Sequence, residues 1–426
     1  MTILIVGGGW SGLAAAITCV QKGEAVHLIE SAKQLGGRAR NVPWNERTID
    51  NGQHLMIGAY DRMLAMMQSI GVDTSEVFQR QTMDLTIYDA QYPPLRLSSK
   101  AYLPWPLSLA WNLAASAGIS GLSQVAKLQA DIKTILSSKD ITVSEWLLSS
   151  NQSQRLVKQL WEPLCLATLN TPINEASAHL LAIVLRDSMG KGKKAADSLI
   201  PCQPLGELFP RVAANYIEQH GGKISLGTRV KNLIVEDKKV TGLTTNDGSQ
   251  LESDAVIIAT NISQSHALLS PYVNLYLPKE YPICTVYLQY AEDIRMEAPM
   301  LGMSGTISQW VFDRSEQTPG LMAVVISAPG KHEDMEKDEL ISLVCKEIHQ
   351  LFPAMPEQAK QGFVIREKRA TFACTVDIEK RRPECQTDIE GLWLAGDYVA
   401  NNYPATLEGA IRNGENCAKL MVANLN

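Results

Sequence analysis

The chain has 426 residues, long enough for two intimately joined domains with large cores. Its 45% apolar fraction is ordinary for a globular protein, and a net charge of −6 gives no basic surface for nucleic acid. Eight scattered cysteines form no C-x-x-C and seven histidines show no ligand spacing, so buried free thiols and no metal are expected.

From the N-terminus, the apolar run Thr2 to Val6 reads as a buried strand that enters Gly7-Gly8-Gly9-Trp10-Ser11-Gly12. Gly7, Gly9 and Gly12 fit G-x-G-x-x-G. The first allows a tight turn, the second lets backbone approach a pyrophosphate, and the third packs helix on strand. Trp10 and Ser11 lie within this motif as further cofactor contacts, and the N-terminus of the helix that follows offers free N–H groups and partial positive charge to phosphates. A second strand, Ala25 to Ile29, ends in Glu30, 18 residues after Gly12, near the spacing of an acid that bonds ribose hydroxyls. A carboxylate there repels a 2′-phosphate, which argues against an NADP-type ligand. The motif alone does not separate NAD from FAD. No signal peptide precedes the first strand, so the cytoplasm is expected.

Next comes Leu35-Gly36-Gly37-Arg38-Ala39. Two glycines suit a loop passing close to a phosphate or a flavin chain, with Arg38 as its fixed positive charge. Asn51-Gly52-Gln53-His54 follows, and these polar groups are costly in an apolar cavity unless hydrogen-bonded. His54 is either a satisfied core histidine or a direct participant. From Ala101 to Ala126 there is no charged residue, while Pro104, Trp105, Pro106 and Trp111 fall inside the stretch. Its Pro, Asn, Gly and Ser make it a poor membrane span. Two readings stand: a buried helix, or a membrane-facing entrance with Trp at the lipid interface.

Further on, Lys223 to Leu226, Val230 to Glu236, Lys239 to Thr245 and Ala255 to Ala259 read as strands joined by turns at Asp237-Lys238 and Asn246-Asp247-Gly248. Strand-like runs recur at Ile283–Tyr290, Thr306–Phe312 and Leu321–Ser327. Near the end, Gly391 to Asp397 reads as a strand closing in a Gly396-Asp397 turn, and a helix is expected from about Pro404 to Val422. Asp397 suits ribityl hydroxyls, and the helix, with Thr406 and Leu407 in its first turn, would aim its dipole at a flavin ring. Gly409 and Ala410 lack bulk, which suits ring contact.

The expected fold class is α/β. A Rossmann-type FAD-binding domain is assembled from discontinuous segments, 1–80, 204–270 and 365–426. A mixed α+β substrate domain comes from 81–203, taken as helical, and 271–364.

The fingerprint, the G-G-R loop and the C-terminal G-D turn with its helix together resemble the FAD-dependent amine oxidase and phytoene desaturase superfamily. The resemblance spans nearly the whole chain. It implies FAD contacts at Gly7, Gly9, Gly12, Glu30, Arg38 and Asp397, and a backbone contact to adenine at Val230. More narrowly, Asn51 to His54, Trp10, Trp161-Glu-Pro-Leu-Cys-Leu-Ala-Thr-Leu-Asn170 and Ala178-His179 through Arg186-Asp-Ser resemble the hydroxysqualene dehydroxylase family. That resemblance implies reductive loss of an allylic hydroxyl from hydroxysqualene, giving squalene for bacterial squalene and hopanoid synthesis. The implied partners are a long-chain isoprenoid alcohol, an external electron donor (NAD(P)H or a reductase) and a membrane surface, the inner membrane face. An acid must protonate the leaving oxygen, and His54, then Glu162 and His179, are its candidates. A carotenoid desaturase or amine oxidase, with Tyr398 and Tyr403 as an aromatic cage, and an FAD-bound isoprenoid-binding protein without catalysis are the competing readings.

Overall fold

The computed structural model describes residues 1–100 and 103–425. Ala101 and Tyr102, the first two of the uncharged stretch, lie outside them.

A five-stranded parallel sheet carries the cofactor end. Its order is Lys223–Ser225, Ala25–Ile29, Thr2–Val6, Ala255–Ile258, Leu392–Leu394. These strands come from three distant stretches of the chain. The inner strands Thr2–Val6 and Ala255–Ile258 are almost continuous Val, Ile and Leu because a parallel sheet is covered on both faces. Helix Trp10–Gln21 crosses the last helix, Leu407–Leu425, at a backbone approach that only glycine permits: a Cβ on Gly414 would sit 2.1 Å from the Ser11 carbonyl oxygen. The last helix begins at Leu407 rather than Pro404. Thr406 caps it, its hydroxyl accepting from the Gly409 N–H at 3.1 Å. Beside this sheet, Val230–Glu236, Lys239–Thr245 and Gln250–Glu252 form a meander. Its first turn has positive φ at both Asp237 and Lys238, as a two-residue hairpin requires.

The second layer is a seven-stranded sheet. Its order is Gln361–Phe372, Glu280–Gln289, Leu321–Ser327, Trp310–Asp313, Met300–Ser304, Asp84–Asp89, Leu95–Ser98. One face, with Cys284, Val286 and Leu288, packs on helix Lys337–Leu351. The opposite face, with Ile283, Trp310, Phe312 and Val325, looks onto the loops of the parallel sheet.

This sheet departs from the expectations in three places. Residues 84–98 are strands rather than helix, so the 81–203 stretch opens in the sheet before turning helical at Trp105. The expected strand from Thr306 starts at Trp310, because the Ile307 and Ser308 N–H groups turn away to the Glu347 carboxylate at 2.9 Å each. Strands Met300–Ser304 and Gln361–Phe372 were not foreseen.

The uncharged stretch lies largely in helix Trp105–Ser137, broken at Gly118 by φ 76° and ψ 171°. Neither reading of it holds in full. Ser108, Leu109 and Leu113 are buried, and Trp105 packs partly on the core. Leu107, Trp111 and Ile119 are instead 57%, 67% and 82% exposed. Among the described residues, no helix is long and apolar enough to cross a membrane.

The helix crossing at Gly414 yields a stability prediction. Gly414→Val should lower stability by roughly 1–3 kcal/mol, the usual scale of overpacking. Thermal unfolding of apoprotein checks this, and an unchanged melting temperature would contradict the close crossing.

Candidate active site

The first turn is built by exclusion. Gly7 has φ 113°, and a Cβ there would meet the Ala259 carbonyl oxygen at 2.6 Å. A Cβ on Gly12 would lie 1.9 Å from the Gly7 carbonyl oxygen. Gly9 differs, since a Cβ there would meet only the Gly37 Cα at 4.0 Å. Its missing side chain therefore leaves open space rather than permitting a backbone contact. Gly9 is the N-cap of the first helix and supplies no side-chain cap, and the first turn has no acidic residue. The helix N–H groups thus remain free for an anion. The Ser11 hydroxyl is buried without a partner. Trp10 is spent on the protein: its indole N–H donates to the Ala39 carbonyl at 3.3 Å and its ring lies 4.7 Å from that of Phe209.

Glu30 stands braced at the end of its strand. One carboxylate oxygen accepts from the Gly8 N–H at 2.6 Å, and the other from the Ala32 N–H at 2.7 Å. The Gly36-Gly37 loop runs beside the first turn, with the Gly36 N–H on the Gly8 carbonyl at 2.8 Å. It delivers Arg38, which donates to Asp397 at 2.6 Å and to the Ala370 carbonyl at 2.7 Å. Burial opposes the Arg38 charge, but the Asp397 carboxylate outweighs it and raises the guanidinium pKa. The Gly396 N–H donates to the Asn413 side chain at 2.8 Å, fixing the turn that presents Asp397.

These elements line one cavity of about 790 Å³. Glu30, Val230, Gly7, Gly9, Trp10, Ser11, Gly37, Arg38, Gly396, Asp397, Thr406 and Leu407 all line it. Ala410 joins the lining, whereas Gly409 turns its bare Cα to the Pro404 carbonyl, where a Cβ would meet oxygen at 2.9 Å. Asn51 to His54 line the same cavity. His54 Nδ1 is 2.8 Å from the Gly52 carbonyl oxygen. Burial pushes the His54 pKa down and Arg38 adds to that, with the Gly52 carbonyl opposing.

The structure does not bring Glu162 and His179 to this lining. Glu162 opens helix Glu162–Leu169, and burial pushes its pKa up. The same helix sends Leu166, Ala167 and Thr168 to the cavity instead. The His179 N–H bonds the Asp140 carboxylate at 3.1 Å, and its Nε2 is buried without a partner away from the cavity. Tyr398 and Tyr403 line it no more than these do. The Tyr398 hydroxyl donates to Ser265 at 2.9 Å and that of Tyr403 to Asp187, so the two make no aromatic cage.

Sequence reasoning missed the side chains supplied by the seven-stranded sheet: Thr285, Trp310 and, on Gln361–Phe372, Glu367. The run Arg366-Glu367-Lys368-Arg369 reads as solvated surface, and only the pairing of its strand with Glu280–Gln289 turns Glu367 inward.

The residues fit FAD. An uncapped helix N-terminus, an unpartnered Ser11 hydroxyl and the space over Gly9 suit its pyrophosphate, and Glu30 suits its ribose. The family model "Flavin containing amine oxidoreductase" matches residues 10–422. Hydroxysqualene dehydroxylase of Zymomonas mobilis is 27% identical over 99% of this chain and 99% of its own. A chloroplastic 15-cis-phytoene desaturase of Glycine max is 21% identical over 99% of this chain and 79% of its own. The solved cyclohexylamine oxidase of Brevibacterium oxydans superposes with a TM-score of 0.75 at 16% identity, covering 100% of this chain and 99% of its own.

The open space at Gly9 predicts a separable effect. Gly9→Leu should fold with a melting temperature near that of wild-type apoprotein and yet lose flavin, because the side chain occupies the pyrophosphate path. Absorbance after gel filtration checks it, and a flavin content equal to wild type would contradict the assignment.

Proposed function

The chain belongs to the flavin-containing amine oxidoreductases and is an FAD-dependent oxidoreductase, and on that footing we propose that it removes the allylic hydroxyl of hydroxysqualene to give squalene. The observation that carries this reading is the end-to-end likeness to hydroxysqualene dehydroxylase, with 99% of both chains aligned. The cavity supports it, since an apolar wall of Ile283, Trp310, Phe312 and Val325 faces a polar edge of Asn51, Gln53 and His54. That arrangement suits a long hydrocarbon with one hydroxyl.

In this proposal Gly7, Gly9, Ser11 and Gly12 shape the pyrophosphate site, Glu30 takes the ribose, and the Val230 backbone meets adenine. Arg38 and Asp397 hold the ribityl and phosphate chain, and Thr406 and Leu407 present the final helix. When bound and reduced, FAD supplies a hydride equivalent. The apolar wall excludes water that would compete for a developing allylic cation. His54 and its neighbours hold the hydroxyl at the polar edge. Electrons come from an external donor, NAD(P)H or a reductase. Product squalene would feed squalene or hopanoid synthesis.

A lipid substrate also gives the exposed stripe at Leu107, Trp111 and Ile119 a role. The protein would sit on the membrane surface through this face, with Trp111 at the headgroup level. Phytoene-type desaturation is the second reading, favoured by the likeness to the Glycine max desaturase. It runs the flavin oxidatively.

Two measurements check these proposals. In D₂O, anaerobically reduced protein incubated with hydroxysqualene should give squalene with one deuterium at the former carbinol carbon, read by mass analysis of extracted lipid. Recovery of unchanged hydroxysqualene, with polyene formation from phytoene by the oxidised protein, would favour the second reading. Unchanged lipid in both incubations would leave a binding protein. Separately, Leu107→Glu with Trp111→Glu should weaken vesicle binding at least tenfold, given about 1.5–3 kcal/mol for each large apolar side chain removed from water. Flavin content should not change. Vesicle binding equal to wild type would contradict the membrane face.

A further inference from the structure

We infer that Glu367 delivers the proton to the departing oxygen, and that His54 accepts from the hydroxyl and orients it. This inference rests on the dehydroxylation proposed above.

Among the described residues, three carboxylates line the cavity: Glu30, Glu367 and Asp397. Glu30 is committed to the Gly8 and Ala32 N–H groups. Asp397 is committed to Arg38. The Glu367 carboxylate has one hydrogen bond among the described residues, accepted from the Asn51 side-chain amide at 3.3 Å, and its charge also acts on Arg38. Its other oxygen takes no bond among the described residues. The strand register sets Glu367 opposite Ile283, on the face that carries Thr285 and its cross-strand neighbour Val325. Glu367 therefore stands where the polar edge meets the apolar wall, the place a lone hydroxyl on a hydrocarbon would occupy.

His54 is the one histidine in the lining among the described residues. A carbonyl oxygen only accepts, so the 2.8 Å contact with Gly52 places the hydrogen on Nδ1. The neutral ring then has a bare Nε2, which accepts a hydrogen bond and has no proton to give. Burial shifts the ring toward that neutral form and Arg38 acts in the same sense, with the Gly52 carbonyl opposing. The acid expected at His54 is thus reassigned, and His54 becomes the acceptor for the substrate O–H.

The step balances. Protonated Glu367 gives its proton to the alcohol oxygen while the C–O bond breaks with its electron pair on that oxygen. Water leaves, bound reduced FAD would supply the hydride equivalent that the balance requires, and solvent reprotonates the carboxylate. Asn51 is a positioning residue. Its amide bonds both Glu367 and the Arg38 carbonyl at 3.3 Å, which fixes the carboxyl against the nucleotide loop.

The test compares Glu367→Gln, Glu367→Asp and Glu367→Ala in holoprotein. Glu367→Gln should keep its FAD and keep the perturbation of the oxidised flavin spectrum by hydroxysqualene, a binding readout independent of turnover. Its turnover should fall about a hundredfold or more, the scale of a general acid. Glu367→Asp should recover part of that loss, and added formate should partly restore Glu367→Ala. Wild-type turnover by Glu367→Gln with FAD intact would overturn the role of Glu367 alone. Loss of flavin from both Glu367→Gln and Glu367→Asp would make the residue a structural tie and overturn it as well. A wild-type protein that leaves hydroxysqualene unchanged would instead overturn the dehydroxylation, and the acid with it.

Discussion

The Arg38–Asp397 ion pair holds the two ends of the chain to one site. The partners are 359 residues apart, and the Arg38 guanidinium spends its other arm on the Ala370 carbonyl. One side chain therefore ties together the G-G-R loop, the C-terminal Gly-Asp turn and a strand of the second sheet. Charges held in a partly dry site are stable only when paired, and removing one partner strands the other. The glycine turn, the G-G-R loop and the Gly396 turn converge where this pair sits. The local rules around it, uncapped helix and missing side chains, leave donors and space along one face for a dinucleotide.

The cavity inherits its polarity from the two layers that enclose it. The parallel sheet contributes loops, which carry backbone N–H groups, and the short polar segment from Asn51 to His54 follows the hairpin strand Arg47–Asp50. The seven-stranded sheet contributes a face of pleated side chains, which alternate by strand register and are mostly apolar. In the proposed reading, that division suits a hydrocarbon with one hydroxyl. The Tyr398 and Tyr403 phenols are held by Ser265 and Asp187.

Much of the cofactor end was legible because its constraints are local. Thr2–Val6, Ala25–Ile29, Val230–Glu236 and Lys239–Thr245 match the expected runs at both ends. The Gly9, Glu30, Arg38 and Asp397 positions, singled out by motif, and Val230, singled out by resemblance, line one cavity. The substrate end was less legible because its constraints are long-range. Strand Gln361–Phe372 carries four consecutive charged residues and is a strand only through pairing with Glu280–Gln289. The polar segments around Glu162 and His179 read as chemistry, yet the Glu162 helix turns Leu166, Ala167 and Thr168 to the cavity, and helix Ala178–Gly190 gives it no lining residue among the described residues. The part of the uncharged stretch from Trp105 onward divides by face along its helix, which composition cannot reveal.

The central claim is that this FAD site reduces an allylic alcohol. Holoprotein reduced under anaerobic conditions and then mixed with one equivalent of hydroxysqualene tests it most directly, by the flavin absorbance and the lipid in the same sample. Full return of the oxidised flavin bands, with one squalene formed per flavin, is the predicted result. Flavin that stays reduced while hydroxysqualene is recovered intact would contradict it.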